Sequence, residues 1–414
     1  MEIIEKINNQ INYIKRNSRF YKNILKDFNQ INNLSELKKF PYTTKNDIAK
    51  FNKDFLCVHE NKVRDFITTS GTMGQPVSFY LNENDLKRLG TNESNSFKLC
   101  GLSKGDKVLL TTTIDKCFMA GLAYYLGAQE LGVGIIRTGP GNLKYQWDMI
   151  ERFKPNILIA VPSFLLKMIK FAKENNIDFS NISLKKAICI GEPIRNSELG
   201  LNTLGKTITR ELDIKLHSTY ASTEMMTAFT ECSSGKGGHL QEELLFVEIL
   251  DENGVEVGNE ESGEVVITTL GVEAMPLLRY KTGDICKVYR LKCSCGRSSL
   301  RLGPVLGRKG QRLKIKGTTI FPSAIIDAIY AFKQIEEFVI EVSLNEFNSD
   351  ELCLFISDDF LITSSLKILK DFLKSKLLFT PEIKFVKASV IKMKISSSSN
   401  NRKIIRLIDN RCID

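Results

Sequence analysis

Between Thr68 and Pro76 the sequence reads TTSGTMGQP, a run that sets the hydroxyls of Thr68, Thr69, Ser70 and Thr72 around Gly71 and Gly74. Such a loop after a strand turns backbone N–H groups and hydroxyls towards one point, and glycine permits the close approach and positive φ this needs. Phosphate oxygens are the natural occupant. No Gly-Lys-Ser/Thr triplet follows, so this is not a Walker loop, and a simple chain reversal remains the alternative. A second set of residues points to a metal. Cys232 and His239 lie in ECSSGKGGHL, and Cys293 and Cys295 in KCSCGR. Three thiolates and an imidazole are the donors of a tetrahedral zinc site, and four protein ligands leave no open position for catalysis. Cys286 is a substitute ligand in this reading. Free thiols beside an unrelated histidine are the competing one.

The rest of the composition narrows the class. Hydrophobic residues make up 43% and charged residues 26% of 414, an ordinary globular balance on a chain long enough for two or more domains. No apolar run approaches the roughly 20 residues that span a bilayer, so no membrane partner is expected. Glu2 and Glu5 break the order of a signal peptide, and ten cysteines without an export signal suggest thiols or metal ligands in a cytoplasmic protein. The formal charge is +10, but the 58 basic residues are scattered among 48 acidic ones. A zinc-stabilised nucleic-acid-binding protein would need basic–aromatic alternation, which is absent, so no nucleic acid is expected.

Among the elements that must carry these residues, the first is helical: Ile3, Ile4, Ile7, Ile11 and Ile14 recur at the spacing of one helix face. Downstream, KVLLTTT, VGIIRTG, NILIAV, KKAICIGE and IKLHSTY read as strands, the first four separated by helical stretches such as PSFLLKMIKFAKEN. This alternation predicts a largely parallel, layered α/β sheet whose ligands lie beyond the carboxyl ends of the strands. From about Glu242 the period changes to two, predicting a β-rich module. From Gly307 onward, RLKIKG and EFVIEVSL read as strands and SAIIDAIYAF and SSLKILKDFLKSKL as helices, a small α+β unit. We therefore expect an N-terminal domain over 1–306 and a mobile C-terminal domain over 307–414.

Five segments in order resemble the adenylate-forming superfamily: TTSGTMGQP, YASTE at Tyr220–Glu224, GEVVITTLGVEAMPLLRYKTGD ending at Asp284, GRKGQRLKIKGTTIFPSAI and NRKIIRLIDNR. NSRFYKNIL, FPYTTKNDI and CSCGR are similar to its phenylacetate–CoA ligase branch. The resemblance implies two half-reactions: a carboxylate attacks the α-phosphorus of ATP and expels pyrophosphate, then a thiol displaces AMP. It implies that Ser70, Gly71, Thr72 and Gly74 hold the β- and γ-phosphates. Gly191, Glu192 and Pro193 line adenine, Tyr220 stacks on it, and Ala221 and Ser222 follow in the same strand end. Thr223 bonds the α-phosphate and Glu224 holds Mg²⁺. Asp284 takes the ribose hydroxyls, Arg308 contacts ribose or phosphate, and Lys403 supplies the catalytic ammonium from the C-terminal lid. Phe118, Met119, Gly121, Tyr125, Ala160 and Pro162, with Tyr220, are the expected acyl pocket. Zinc on Cys232, His239, Cys293 and Cys295 also resembles some members of the branch.

The expected activity is ATP-dependent ligation of a small aromatic carboxylic acid to the thiol of coenzyme A or of a carrier protein, with a homodimer among the expected states. Met73, Gln75 and Gly310 depart from the usual Thr, Lys and Asp. A degenerate member that binds nucleotide without forming a thioester is therefore the alternative.

Overall fold

The structure, a computed structural model, describes residues 2–69, 77–315, 318–332, 334–335, 337–345, 350–360, 366–397 and 406–411. Isoleucine spacing makes Glu2–Asn17 an amphipathic helix that buries Ile7, Ile11 and Ile14. Ser18 ends it and caps the next helix, Arg19–Ile24, through its side chain. β1 (Asp65–Thr68) and β2 (Ser78–Leu81) pair antiparallel, Asp65 opposite Leu81 and Thr68 opposite Ser78.

The strands that follow form one continuous sheet. Its parallel part comprises β3 (Lys107–Leu110), β4 (Gly134–Arg137), β5 (Ile157–Ala160), β6 (Lys186–Cys189) and the start of β7 (Lys215–Ser222). Its antiparallel part adds β8 (Thr227–Glu231), β9 (Gly238–His239), β10 (Leu245–Leu250), β11 (Ser262–Thr269), β12 (Tyr280–Tyr289) and β13 (Arg301–Arg308). The spatial order is β10-β11-β12-β13-β9-β8-β7-β6-β5-β3-β4. The expected β-rich module continues the parallel sheet, and its strands start at Thr227 rather than near Glu242. The cause lies in β7. Its first half pairs in parallel with β6, Lys215 to Ser218, and its second half pairs antiparallel with β8, Thr219 to Ser222.

Leu158, Ala160 and Ala187 face the helices Leu143–Phe153, Pro162–Glu174 and Thr203–Glu211 on one side, while Val108, Ile159 and Ile188 pack with Phe97 and Tyr124 on the other. Burial on both faces suits short, continuously apolar parallel strands. A third cluster joins the N-terminal helices to the antiparallel strands, with Tyr21, Phe55, Phe79 and Met275 inside it.

Beyond Arg308 a 3₁₀ turn, Lys309–Gln311, leads to the hairpin of β14 (Leu313–Ile315) and β15 (Thr318–Ile320). A four-stranded sheet follows, ordered β18 (Glu382–Val386), β17 (Asp350–Ser357), β16 (Phe338–Leu344), β19 (Leu407–Asp409). The helices Pro322–Tyr330 and Leu366–Leu377 supply its own apolar cluster, including Ile325, Phe338, Leu354, Leu369 and Leu373. The helix Ala388–Ser397 was not read from the sequence.

Candidate active site

Three neighbouring parallel strands end at the same edge of the sheet. β5 ends at Ala160, β6 runs into Gly191–Pro193, and β7 reaches Tyr220 before the Thr223–Glu224 turn. Tyr220 stands where parallel pairing gives way to antiparallel, which is where an open α/β sheet leaves a crevice. Gly191 takes φ +77°, a left-handed conformation that glycine adopts without strain. Next to it the Glu192 carboxylate accepts from the Ser163 amide and hydroxyl, both at 2.9 Å. Burial raises the Glu192 carboxyl above the usual range, with the two Ser163 hydrogen bonds opposing. The Pro193 carbonyl accepts from Asn202 at 2.8 Å.

Asp284 meets this edge from β12. Its Oδ2 accepts from the Tyr220 hydroxyl at 2.7 Å, and its Oδ1 accepts from Arg308 Nε at 2.9 Å. The β12–β13 register sets Asp284 opposite Arg308, and Gly283 at φ +75° turns the backbone just before it. Asp284 is only 5% exposed. Burial opposes the charge on Arg308, but Asp284, with Glu224 and Tyr220 beyond it, more than offsets this and raises its pKa. Each Asp284 oxygen keeps a lone pair, so the carboxylate can still accept from two vicinal hydroxyls.

Two cations of the site were not singled out in the sequence. Lys45, first residue of the helix Lys45–Lys50, is half-buried; burial lowers its pKa while the Glu224 carboxylate nearby counters this. Arg88 is buried among peptide acceptors. Its guanidinium donates to the carbonyls of Leu270 at 2.8 Å and Met226 at 2.7 Å, and to Thr227 Oγ1 at 3.1 Å. It thereby fixes the turn that carries Thr223 and Glu224. No local pattern marks Arg88, because its acceptors are brought in by distant strands.

Ser70, Gly71, Thr72, Gly74 and Lys403 lie outside the described residues. Of the expected acyl pocket, Met119 and Tyr220 pack with one apolar cluster, whereas Ala160 packs with another. Phe118 precedes the helix Met119–Leu131, and Tyr125 sits on it with Arg137 5.5 Å over its ring. On Gly121 a Cβ would meet the Thr113 carbonyl oxygen at 2.0 Å, so close packing there requires glycine. Pro162 opens the helix after β5.

The four expected metal ligands do converge. The Sγ atoms of Cys232, Cys293 and Cys295 and a ring nitrogen of His239 lie within 4.8 Å of one another. Cys232 and Cys293 sulfurs are 3.7 Å apart, and Cys295 Sγ is 3.5 Å from His239 Nε2. Two thiolates on tetrahedral zinc stand about 3.7 Å apart, and a thiolate and an imidazole about 3.5 Å. These two separations fit that ion. His239 Nδ1 lies 2.9 Å from Ser299 Oγ, which leaves Nε2 turned to the centre. Pairing of β9 with both β8 and β13 brings the two segments together. Cys286 is fully buried in a separate apolar cluster, away from the group.

Comparison with known proteins gives the family. Residues 21–274 match the profile of the AMP-binding enzyme family. A phenylacetate-coenzyme A ligase of Pseudomonas putida is 30% identical over 309 residues, which is 73% of this chain and 68% of the relative. A 2-hydroxyisobutyryl-CoA ligase in its postadenylation state superposes with a TM-score of 0.85 at 20% identity, covering 99% of this chain and 89% of the other. With the same coverage, that ligase in its thioesterification state superposes with a TM-score of 0.70 at 22% identity. The chain belongs to the AMP-binding enzyme family, on its phenylacetate–CoA ligase-like side.

Proposed function

We propose that this chain joins a small aromatic carboxylic acid to a thiol through an acyl adenylate, with coenzyme A as acceptor. The observation that carries the reading is the meeting of Tyr220, Asp284 and Arg308 at the switch strand, beside the Thr223–Glu224 turn. Residues 1–306 and 307–414 act as two domains.

The substrate carboxylate oxygen attacks the α-phosphorus of ATP, forming an O–P bond as the bond to pyrophosphate breaks. The thiol sulfur then attacks the acyl carbon, its proton passes to solvent, and AMP leaves. Asp284 accepts from the ribose hydroxyls, and Arg308 pairs with that carboxylate and fixes its orientation. Gly191–Pro193 and the Tyr220 ring line the adenine, with Ala221 and Ser222 beside it, and the Thr223 hydroxyl donates to the α-phosphate. Ser70, Gly71, Thr72 and Gly74 cradle the outer phosphates. Gln75 stands where a lysine is usual, and Lys45 adds positive charge near Glu224. Lys403 meets the charge that develops around the α-phosphorus. The Glu224 carboxylate, with Thr223 adjacent, suits a Mg²⁺ ion that keeps most of its waters. Such an ion neutralises phosphate oxygens. Phe118, Met119, Gly121, Tyr125, Ala160 and Pro162 surround the acyl group.

Zinc on Cys232, His239, Cys293 and Cys295 ties the β12–β13 connection to the end of β8 and has a structural role. A mildly basic surface also suits an acidic carrier protein as a second acceptor.

Incubation with ATP, Mg²⁺ and a panel of aryl carboxylic acids, followed by mass analysis with coenzyme A or carrier phosphopantetheine, tests the reading. Pyrophosphate release that depends on one aryl acid, with a thioester product, is expected. Silence of the folded chain across the panel favours the degenerate nucleotide-binding reading, which Gln75 supports.

A further inference from the structure

The C-terminal unit touches the nucleotide-binding edge through a small set of polar contacts. Lys167, on the helix Pro162–Glu174, pairs with Glu337 at 3.5 Å. The other oxygen of Glu337 accepts from Arg406 at 3.0 Å, and Arg406 also donates to the Phe338 carbonyl at 2.7 Å. A second contact comes from the helix Pro322–Tyr330. Its Asp327 carboxylate accepts at 3.0 Å from the Thr203 amide, the first of the helix Thr203–Glu211. Tyr330, at the end of the same helix as Asp327, packs against the cluster under β5 and β6 as well as against its own unit. Glu192 is held by Ser163, on the same helix as Lys167. Lys167 and Arg406 are both close enough for their charges to act on it.

We propose that Lys167 and Glu337 are positioning residues. Their ion pair, with the Asp327–Thr203 contact, is a latch that holds the C-terminal unit against the Gly191–Pro193 segment for adenylation and opens for the thiol step. The inference rests on the two half-reactions proposed above. The pair is well placed for reversible work. Lys167 is half-exposed, so the contact is modest in strength and is broken without leaving a deeply buried charge. Glu337 keeps Arg406 as a partner when Lys167 departs.

The test compares Lys167→Glu, Lys167→Ala and Lys167→Arg with the unaltered chain, each confirmed folded by its thermal transition. Lys167→Glu slows acid-dependent pyrophosphate release by about fivefold, and Lys167→Ala slows it less. Thioester formation from supplied acyl adenylate and coenzyme A stays within about twofold, and Lys167→Arg restores the first step. Equal slowing of both steps, or of neither in a chain that turns over, overturns the latch. Small-angle X-ray scattering separates this from failure of the proposed function. Lys167→Glu shifts the scattering towards a more extended particle even if no acid is ever activated, and an unchanged profile also overturns the latch.

Discussion

The Arg195 guanidinium grips the Glu231 carboxylate with two parallel hydrogen bonds, Nε to Oε1 and Nη2 to Oε2, both at 3.0 Å. The same carboxylate accepts from the Ser218 amide at 3.0 Å. One buried acid thus ties together the loop after Gly191–Pro193, the strand leading to Tyr220, and the segment that begins with Cys232, one of the four proposed zinc ligands. Glu231 is 1% exposed, so its removal leaves Arg195 without its main partner in a poorly hydrated place. Glu231→Ala should cost about 3–5 kcal/mol in urea unfolding. The exposed pair Lys53–Glu60 is the control, and Lys53→Ala should leave the urea midpoint nearly unchanged. Similar costs for the two would show that burial is not what makes the Arg195 pair matter.

Loss of the proposed zinc should loosen the same region. The purified chain is expected to carry one zinc ion, measured by mass spectrometry of the metal after dialysis. Cys293→Ser should lose it and lower the melting temperature by at least about 5 °C. A metal-free chain that melts at the same temperature with and without added zinc would remove the ion from the account.

Tyr220→Phe deletes only the hydroxyl that donates to Asp284. A hydrogen bond to a charged group contributes about 1.5–3 kcal/mol, so the KM for ATP should rise roughly tenfold or more while kcat changes less. Steady-state pyrophosphate release at saturating acid measures both. A fall confined to kcat would place Tyr220 in the chemical step instead.

Lys403→Ala should reduce adenylation on the order of a hundred- to a thousandfold, the usual loss when one preorganised charge is taken from a transition state. ATP binding, followed by calorimetry, should survive. Undiminished turnover would transfer the role to another cation, with Lys45 the first to examine.

Glu93 gives stability a pH dependence. Burial pushes its carboxyl up to about 8, with the Asn92 amide opposing, against 4.5 for the ordinary group. Below pH 4.5 the folded and unfolded chains both hold the proton, and the contribution is fully present. Between 4.5 and 8 the unfolded chain has released a proton that the folded chain keeps, so stability falls as pH rises. Glu93→Gln lacks this loss. Urea midpoints from about pH 5 to about pH 8 should show the variant gaining on the unaltered chain, and parallel curves would refute the assignment.

Much was readable from the linear chain because it depends on local pattern. Helical isoleucine spacing, short apolar strands between helices, and the Thr-Gly-Asp turn within β12 each carry their own signature within a few residues. The cysteine and histidine types marked Cys232, His239, Cys293 and Cys295 as one candidate set, and the fold brings their donor atoms within 4.8 Å of one another. What only the tertiary structure decided is which distant groups meet. Tyr220 and Asp284 stand 64 residues apart and touch because β7 changes partners in mid-strand and so joins two sheets into one. Arg88 and the Arg195–Glu231 pair carry no sequence signature, since their partners are carbonyls, amides and carboxylates supplied by other strands. A side chain's type is written in the sequence, but its partner is set by register and burial, which belong to the whole fold.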